Sequence, residues 1–193
     1  MTMRRDGEPR RRAASRVLIV CGSDATESAY FTGLRDAHCP PSMRLSIIEK
    51  GQVAPEEVVR HAWRKMMGGR YHQVWCVVDV DHFERAGGQI TKALRLADKH
   101  GIKMAISNPC FELWLLLHRA GCTVHCADCR AVHRILKRDL PAYDKTRLRF
   151  EDFSAGVPDA VKRARELDPT GPDHATNPST GVWALVATIL EQP

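Results

Sequence analysis

The stretch Gln73-Val-Trp-Cys-Val-Val-Asp-Val-Asp-His82 decides how this chain is read. Val74 to Val78 is a run of β-branched, aromatic and thiol side chains with no polar alternation. Such a run predicts a strand buried on both faces, as in a parallel sheet. It ends in two aspartates, Asp79 and Asp81. In open α/β sheets, ligands bind at the carboxyl ends of the strands. Two carboxylates that close repel each other unless a proton or a cation relieves them. A hard cation with oxygen ligands, such as magnesium, meets that need. One aspartate alone would be read as a turn or a helix cap. The pair, following a wholly apolar strand, favours the metal.

Outward from this strand, the chain alternates strand and helix patterns. Val17 to Cys21 is a short buried strand, followed by the polar turn Gly22-Ser-Asp-Ala25. Thr26, Glu27, Tyr30, Phe31 and Leu34 predict an amphipathic helix that stops at Cys39-Pro-Pro41. Met43 to Ile48 is a second strand. Pro55 opens a helix with a stripe of Val58, Val59, Ala62, Trp63 and Met66, ended by Gly68-Gly69. A further helix carries Ile90, Ala93, Leu94 and Ala97, and Ile102 to Ser107 is a fourth strand. Strands separated by helices of this length imply right-handed crossovers and a parallel sheet. Asn108-Pro109 reads as N-cap and first residue of a very apolar helix, Cys110 to His118. Asn177-Pro178 repeats the device before a last helix, Ser179 to Leu190. Between them lie a Cys/His-rich connection, a helix to about Leu140, and a helix from Val157 to Leu167.

Composition narrows the classes. A chain of 193 residues with 44% hydrophobic content has room for one sizeable core, with or without an appendage. No apolar window approaches the ~18 residues of a membrane span, and no signal-peptide pattern stands at the N-terminus. Seven cysteines is an odd number, and Cys21, Cys76 and Cys110 fall in predicted cores. That pattern predicts reduced thiols and a cytoplasmic location. The formal charge of +6 is concentrated at one end. Residues 1–16 hold Arg4, Arg5, Arg10, Arg11, Arg12 and Arg16 against Asp6 and Glu8, so this segment carries +4 and the rest only +2. A basic arm with little to bury is expected to be disordered. It either contacts phosphate backbones or merely solubilises the chain.

Several groups are candidates for chemistry. Asp24 and Glu27 follow the first strand, as Asp79 and Asp81 follow the third. If those strands are neighbours, the acids converge on one edge and make a magnesium-dependent phosphoryl-transfer site. Glu27 alone would be a first-turn acid at a helix dipole. Glu112 is the one charge in its apolar helix, expensive there unless paired, and equally suited to a site or to a helix start. His118 at the other end suits the C-terminal dipole. Cys122, Cys126, Cys129 and His133 are ligand types that suit zinc, although their spacing matches no standard knuckle and incidental thiols are the competing reading. Lys145 and Arg147 could hold a phosphate while Tyr143 stacks on a base, or form a solvated surface. There is no Walker A loop, G-x-G-x-x-G, G-x-S-x-G or H-E-x-x-H, so nucleotide hydrolysis, dinucleotide redox and serine hydrolysis lack local support.

Taken together, Val17 to Phe31, Val77-Val-Asp-Val-Asp81, Ser107-Asn-Pro-Cys-Phe-Glu-Leu-Trp-Leu-Leu-Leu-His118, Tyr143-Asp-Lys145 and Asn177-Pro-Ser-Thr180 resemble the RloB family. The resemblance implies a Toprim-like α/β core, a small parallel sheet flanked by helices. The expected organisation is a basic arm (1–15), a core (16–119) and a helical C-terminal extension packed on it (120–193). It implies a nuclease in bacterial anti-phage defence, often beside an ABC- or AAA-type ATPase, cleaving RNA or DNA with magnesium or manganese. A glutamate after the first strand would be the general acid/base, and the Asp-x-Asp would hold the metal. The family's usual turn reads Cys-Glu-Gly-Glu-x-Thr-Glu, where this chain has Cys21-Gly22-Ser23-Asp24-Ala25-Thr26-Glu27. Gly22 therefore stands where the catalytic glutamate is expected. Either Asp24, Glu27 or Glu112 takes over, or the chain is a degenerate module that binds nucleic acid or a partner without cutting.

Overall fold

The computed structural model describes residues 14–22, 25–80, 88–171 and 174–190. Four apolar segments form parallel strands: β1 (Ser15–Cys21), β2 (Met43–Glu49), β3 (Gln73–Asp79) and β4 (Lys103–Asn108). The order across the sheet is β2-β1-β3-β4-β5, with the two-residue β5 (Ser179–Thr180) antiparallel to β4. The first and third strands are thus neighbours, Cys21 lying in register with Val77. All four parallel strands end on the same edge.

Helices cover both sides. On one side are α2 (Pro55–Met67) and α3 (Gln89–Lys99). Their Val58, Val59, Ala62, Ile90, Ala93 and Ala97 pack on Leu18, Val20, Val74, Cys76 and Val78 of the sheet. On the other side lie α1 (Ala25–His38), α4 (Glu112–Leu117), α5 (Cys129–Asp139), α6 (Glu151–Ser154), α7 (Val157–Leu167) and α8 (Val182–Leu190). These surround a larger core with Val17, Ile19, Cys21, Trp75, Val77 and Ala105. The architecture is α/β, a mostly parallel sheet between helices, in agreement with the Toprim-like arrangement that the resemblance implies. Among the described residues no helix is long and apolar enough to cross a membrane.

The chain from Asn108 onward departs from the expectations in three ways. Asn108 closes β4 instead of capping a helix, and α4 begins only at Glu112. Asn108 has another use: its side chain donates to the His174 carbonyl at 2.8 Å and accepts from Asn177 Nδ2 at 3.0 Å. Asn177 also donates to the Cys126 carbonyl and accepts from its N–H, both at 2.9 Å. The two Asn-Pro motifs, both with cis peptides, therefore clamp each other and the cysteine-rich loop. Second, Ser179 and Thr180 are a strand, not the first turn of the last helix. Third, the thiols are not all free, because Cys110 is bonded to Cys129. The β4–α4 turn and the start of α5 meet, which linear spacing does not reveal. At the other end, β1 takes in Ser15, the last residue of the expected arm. Arg4, Arg5, Arg10, Arg11 and Arg12 lie outside the described residues.

Candidate functional site

Strand pleating decides which way each edge residue faces, since alternate side chains share a face. In β3, Trp75 and Val77 face the larger core, so Asp79 has the same parity. In β2, Met43, Leu45 and Ile47 do likewise, and Glu49 follows in phase. Glu27, in the first turn of α1, and Glu112, at the start of α4, belong to helices on that same side. Four carboxylates are thereby placed at the carboxyl edge of the sheet and on one face of it. Asp24 and Asp81 lie outside the described residues.

Electrostatics tie Glu27 and Glu49 together. Glu27 is fully buried. The Cys21 thiol is pushed well up by burial, then by the charges of Glu27 and Glu49. Ser28 Oγ donates to Glu49 Oε2 at 2.9 Å, holding that carboxylate against α1. Asp79 is in register with Ser107, whose hydroxyl is hydrogen-bonded to Thr180 at 2.9 Å. The donors at this edge are carboxylate oxygens, the kind a hard divalent cation takes, but among the described residues they do not gather closely enough to form a metal-holding group.

The second cluster is at the end of α4. Glu112 Oε2 lies 3.2 Å from Cys129 Sγ. Cys110, Glu112 and Cys129 each present a ligand atom within 4.8 Å of the others. The set Cys122, Cys126, Cys129 and His133 is not assembled. Cys129 is bonded to Cys110, while the Cys122 and Cys126 sulfurs are 3.6 Å apart and face the Val124 carbonyl. Burial and the neighbouring Cys122 push the Cys126 thiol up to about 12, so it stays protonated at neutral pH. His133 packs instead edge-on to Tyr143, ring centroids 5.4 Å apart.

Two further expectations are corrected. Tyr143 is buried against His133 and Phe153, so its ring is closed to a stacking base. Its hydroxyl is raised by burial and then by the charge of Glu112. Lys145 and Arg147 are exposed in a 3-10 turn (Lys145–Arg147) tied to α1, since Thr26 Oγ1 donates to the Lys145 carbonyl at 2.9 Å. His118 is buried, and burial lowers its pKa to about 4. It is therefore neutral and does not complement a helix dipole by charge. Its Nδ1 must donate to the Trp114 carbonyl at 2.8 Å, which leaves Nε2 to accept from Tyr30 OH at 3.0 Å.

With this geometry in view, comparison with known proteins is informative. A family model described as RloB-like protein matches residues 17–189. The chain belongs to the RloB-like family. No curated protein matches it. The matched span of the RloB-like family includes the cis-proline clamp, the acidic edge and the disulfide corner.

Gly22 gains a structural meaning within this RloB-like chain. It follows β1, is buried, and donates its N–H to the Val77 carbonyl at 2.9 Å. A Cβ there would lie 2.7 Å from Val58 Cγ2 and 3.2 Å from both Val77 O and Val78 Cγ1. The space where the usual pattern needs a glutamate is filled by an α2 valine. Glu49 is the residue that sequence reasoning missed. Its signal is the alternation Met43, Leu45, Ile47, which runs on to Glu49, one residue past the expected strand end at Ile48. Cys110 has no local signal as a partner because its mate is 19 residues away, at the start of α5.

Proposed function

We propose that this RloB-like protein is a divalent-metal-dependent nuclease, cleaving phosphodiester bonds of RNA or DNA in anti-phage defence beside an ATPase partner. The observation that supports it is the shared facing of Glu27, Glu49, Asp79 and Glu112 at the carboxyl edge, with β1 and β3 adjacent. The defence setting and the ATPase rest on family resemblance alone. Asp79 supplies a hard ligand at the strand tip, and Asp81 is its partner in the motif. Bound magnesium or manganese would offset the phosphate's charge and make a bound water more acidic. Glu27, buried in the first turn of α1, is the acid we assign to exchange a proton with the attacking water. Glu49 continues the acidic rim, with Glu112 on its flank, and Asp24 is a further acid close by in the sequence. Lys145, Arg147 and the arginine arm neutralise the polyanion, so binding weakens as salt rises.

The testing experiment incubates the protein, with and without its ATPase partner, with mixed RNA and DNA plus magnesium or manganese. Metal-dependent products that vanish in Asp79→Asn support the proposal. Equal cleavage in chelator removes it. Magnesium at a hundredfold excess over its Kd should also stabilise the fold by about 2.7 kcal/mol.

A second reading, a degenerate module that binds without cutting, is favoured by Gly22 and Val58. Such a protein would show salt-sensitive nucleic-acid affinity and no products under the same conditions.

A further inference from the structure

We infer that the reduced protein binds zinc through Cys110 Sγ, Cys129 Sγ and the Glu112 carboxylate, and that the Cys110–Cys129 disulfide is the metal-free form of this site. The inference goes beyond the nuclease reading and shares only Glu112 with it. The three donor atoms lie within 4.8 Å of one another. They come from the β4–α4 turn, the first residue of α4 and the first residue of α5, so three separate backbone segments hold them. The Cys110 and Cys129 Cα atoms are 5.6 Å apart. Two thiolates and one carboxylate are a mixed, zinc-type donor set, unlike the all-oxygen edge of the sheet.

The Glu112 contact supplies a second argument. A disulfide sulfur carries no hydrogen. The approach of Glu112 Oε2 to Cys129 Sγ at 3.2 Å therefore gains no hydrogen bond while the disulfide is closed. A cation between two thiolates and this carboxylate would make the same proximity favourable. Zinc with three protein ligands leaves a fourth position for water. The nearby thiols are a weaker choice. Cys122 and Cys126 face the Val124 carbonyl, and among the described residues no third ligand joins them.

The chemistry balances simply. A dithiol reductant gives two electrons to the S–S bond, which breaks to two thiols as two protons are taken up. The dithiol is left as its own disulfide. Zinc then binds as both thiol protons leave to water.

Cobalt(II) is the probe, because thiolate ligation gives it a near-ultraviolet charge-transfer band. The full chain is reduced with dithiothreitol, freed of it anaerobically, and titrated with cobalt and then zinc. One equivalent of cobalt should bind with that band, and zinc should displace it. The oxidised protein should show no band. Cys110→Ser and Cys129→Ser should abolish it, whereas Cys122→Ser and Cys126→Ser should retain it. Glu112→Gln, nearly isosteric, should weaken cobalt by about tenfold or more and keeps the test open if a serine variant misfolds. No band in the reduced wild type, a band that survives Cys110→Ser in a folded protein, or one lost in folded Cys122→Ser overturns the inference.

Discussion

On the side of the sheet covered by α2 and α3, the buried residues are aliphatic or small, among them Leu18, Val20, Val58, Val59, Ile90 and Ile106. On the other side the core holds Tyr30, Phe31, Trp75, Phe111, Trp114, Tyr143, Phe150 and Phe153. Tyr30 alone meets the rings of Phe31, Phe111, Trp114, His118 and Phe150 at centroid distances of 5.3–6.1 Å. Buried Glu27, Glu112 and His118 all belong to helices on this aromatic side. The contrast is one of what each face can bury. Aliphatic packing offers polar groups no partners, so burial there is uniform and the face serves as support. Aromatic residues with polar handles let the opposite face bury titratable groups at a bearable cost.

The contrast can be tested from the strongest expected effect downward. Asp79→Asn on the aromatic face should reduce the proposed metal-dependent cleavage on the order of a thousandfold with little change in Tm. Nuclease assays beside thermal melts check this, and cleavage at the wild-type rate would break the functional assignment. Next comes His118. Its folded pKa, near 4, lies below the ordinary value of 6.5. The unfolded chain therefore takes up its proton first as pH falls. The stabilising contribution is complete above pH 6.5 and is lost between 6.5 and 4, about 3 kcal/mol in all. Urea denaturation at intervals across that range should show this fall, and His118→Gln should flatten it. Asn177→Ala removes the clamp's hydrogen bonds and should cost about 2 kcal/mol at neutral pH, measured by equilibrium unfolding. The smallest change tests the supporting face. Gly22→Ala should cost about 1–2 kcal/mol by crowding Val58, and the added Val58→Ala should remove part of that crowding. If the single variant is neutral by the same unfolding measurement, α2 yields more easily than its packing indicates.

Much of the support was readable from the chain. The four parallel strands and α1, α2 and α3 follow from apolar runs punctuated by Pro and Gly, and the β1–β3 neighbourhood follows from doubly wound topology. Asp79 stood out because an acid ending an all-apolar strand has one evident place to be. The chain from Asn108 onward resisted reading for a physical reason: its organisation depends on contacts between distant residues. Asn108 and Asn177 look like helix caps because their sequence context is a cap's, yet each finds its partner about 70 residues away, through the 3.0 Å bond between them. Cys110 and Cys129 are similarly invisible as a pair. Tyr143 reads as a surface residue beside Lys145, and only the packing of α5 and Phe153 encloses it.

The short β5 has a consequence for how the protein can be trimmed. It is two residues long, yet it covers the backbone of Ser107 and Asn108, and Gly181 N–H extends the cover by donating to the Ile106 carbonyl at 2.8 Å. Without residues beyond 178, β4 would become a bare margin with unclaimed amides and carbonyls next to an apolar helix. Exposed strand margins recruit other strands. Chains shortened at this end also lose α8, and should therefore self-associate through this margin and the apolar surface that α8 covers.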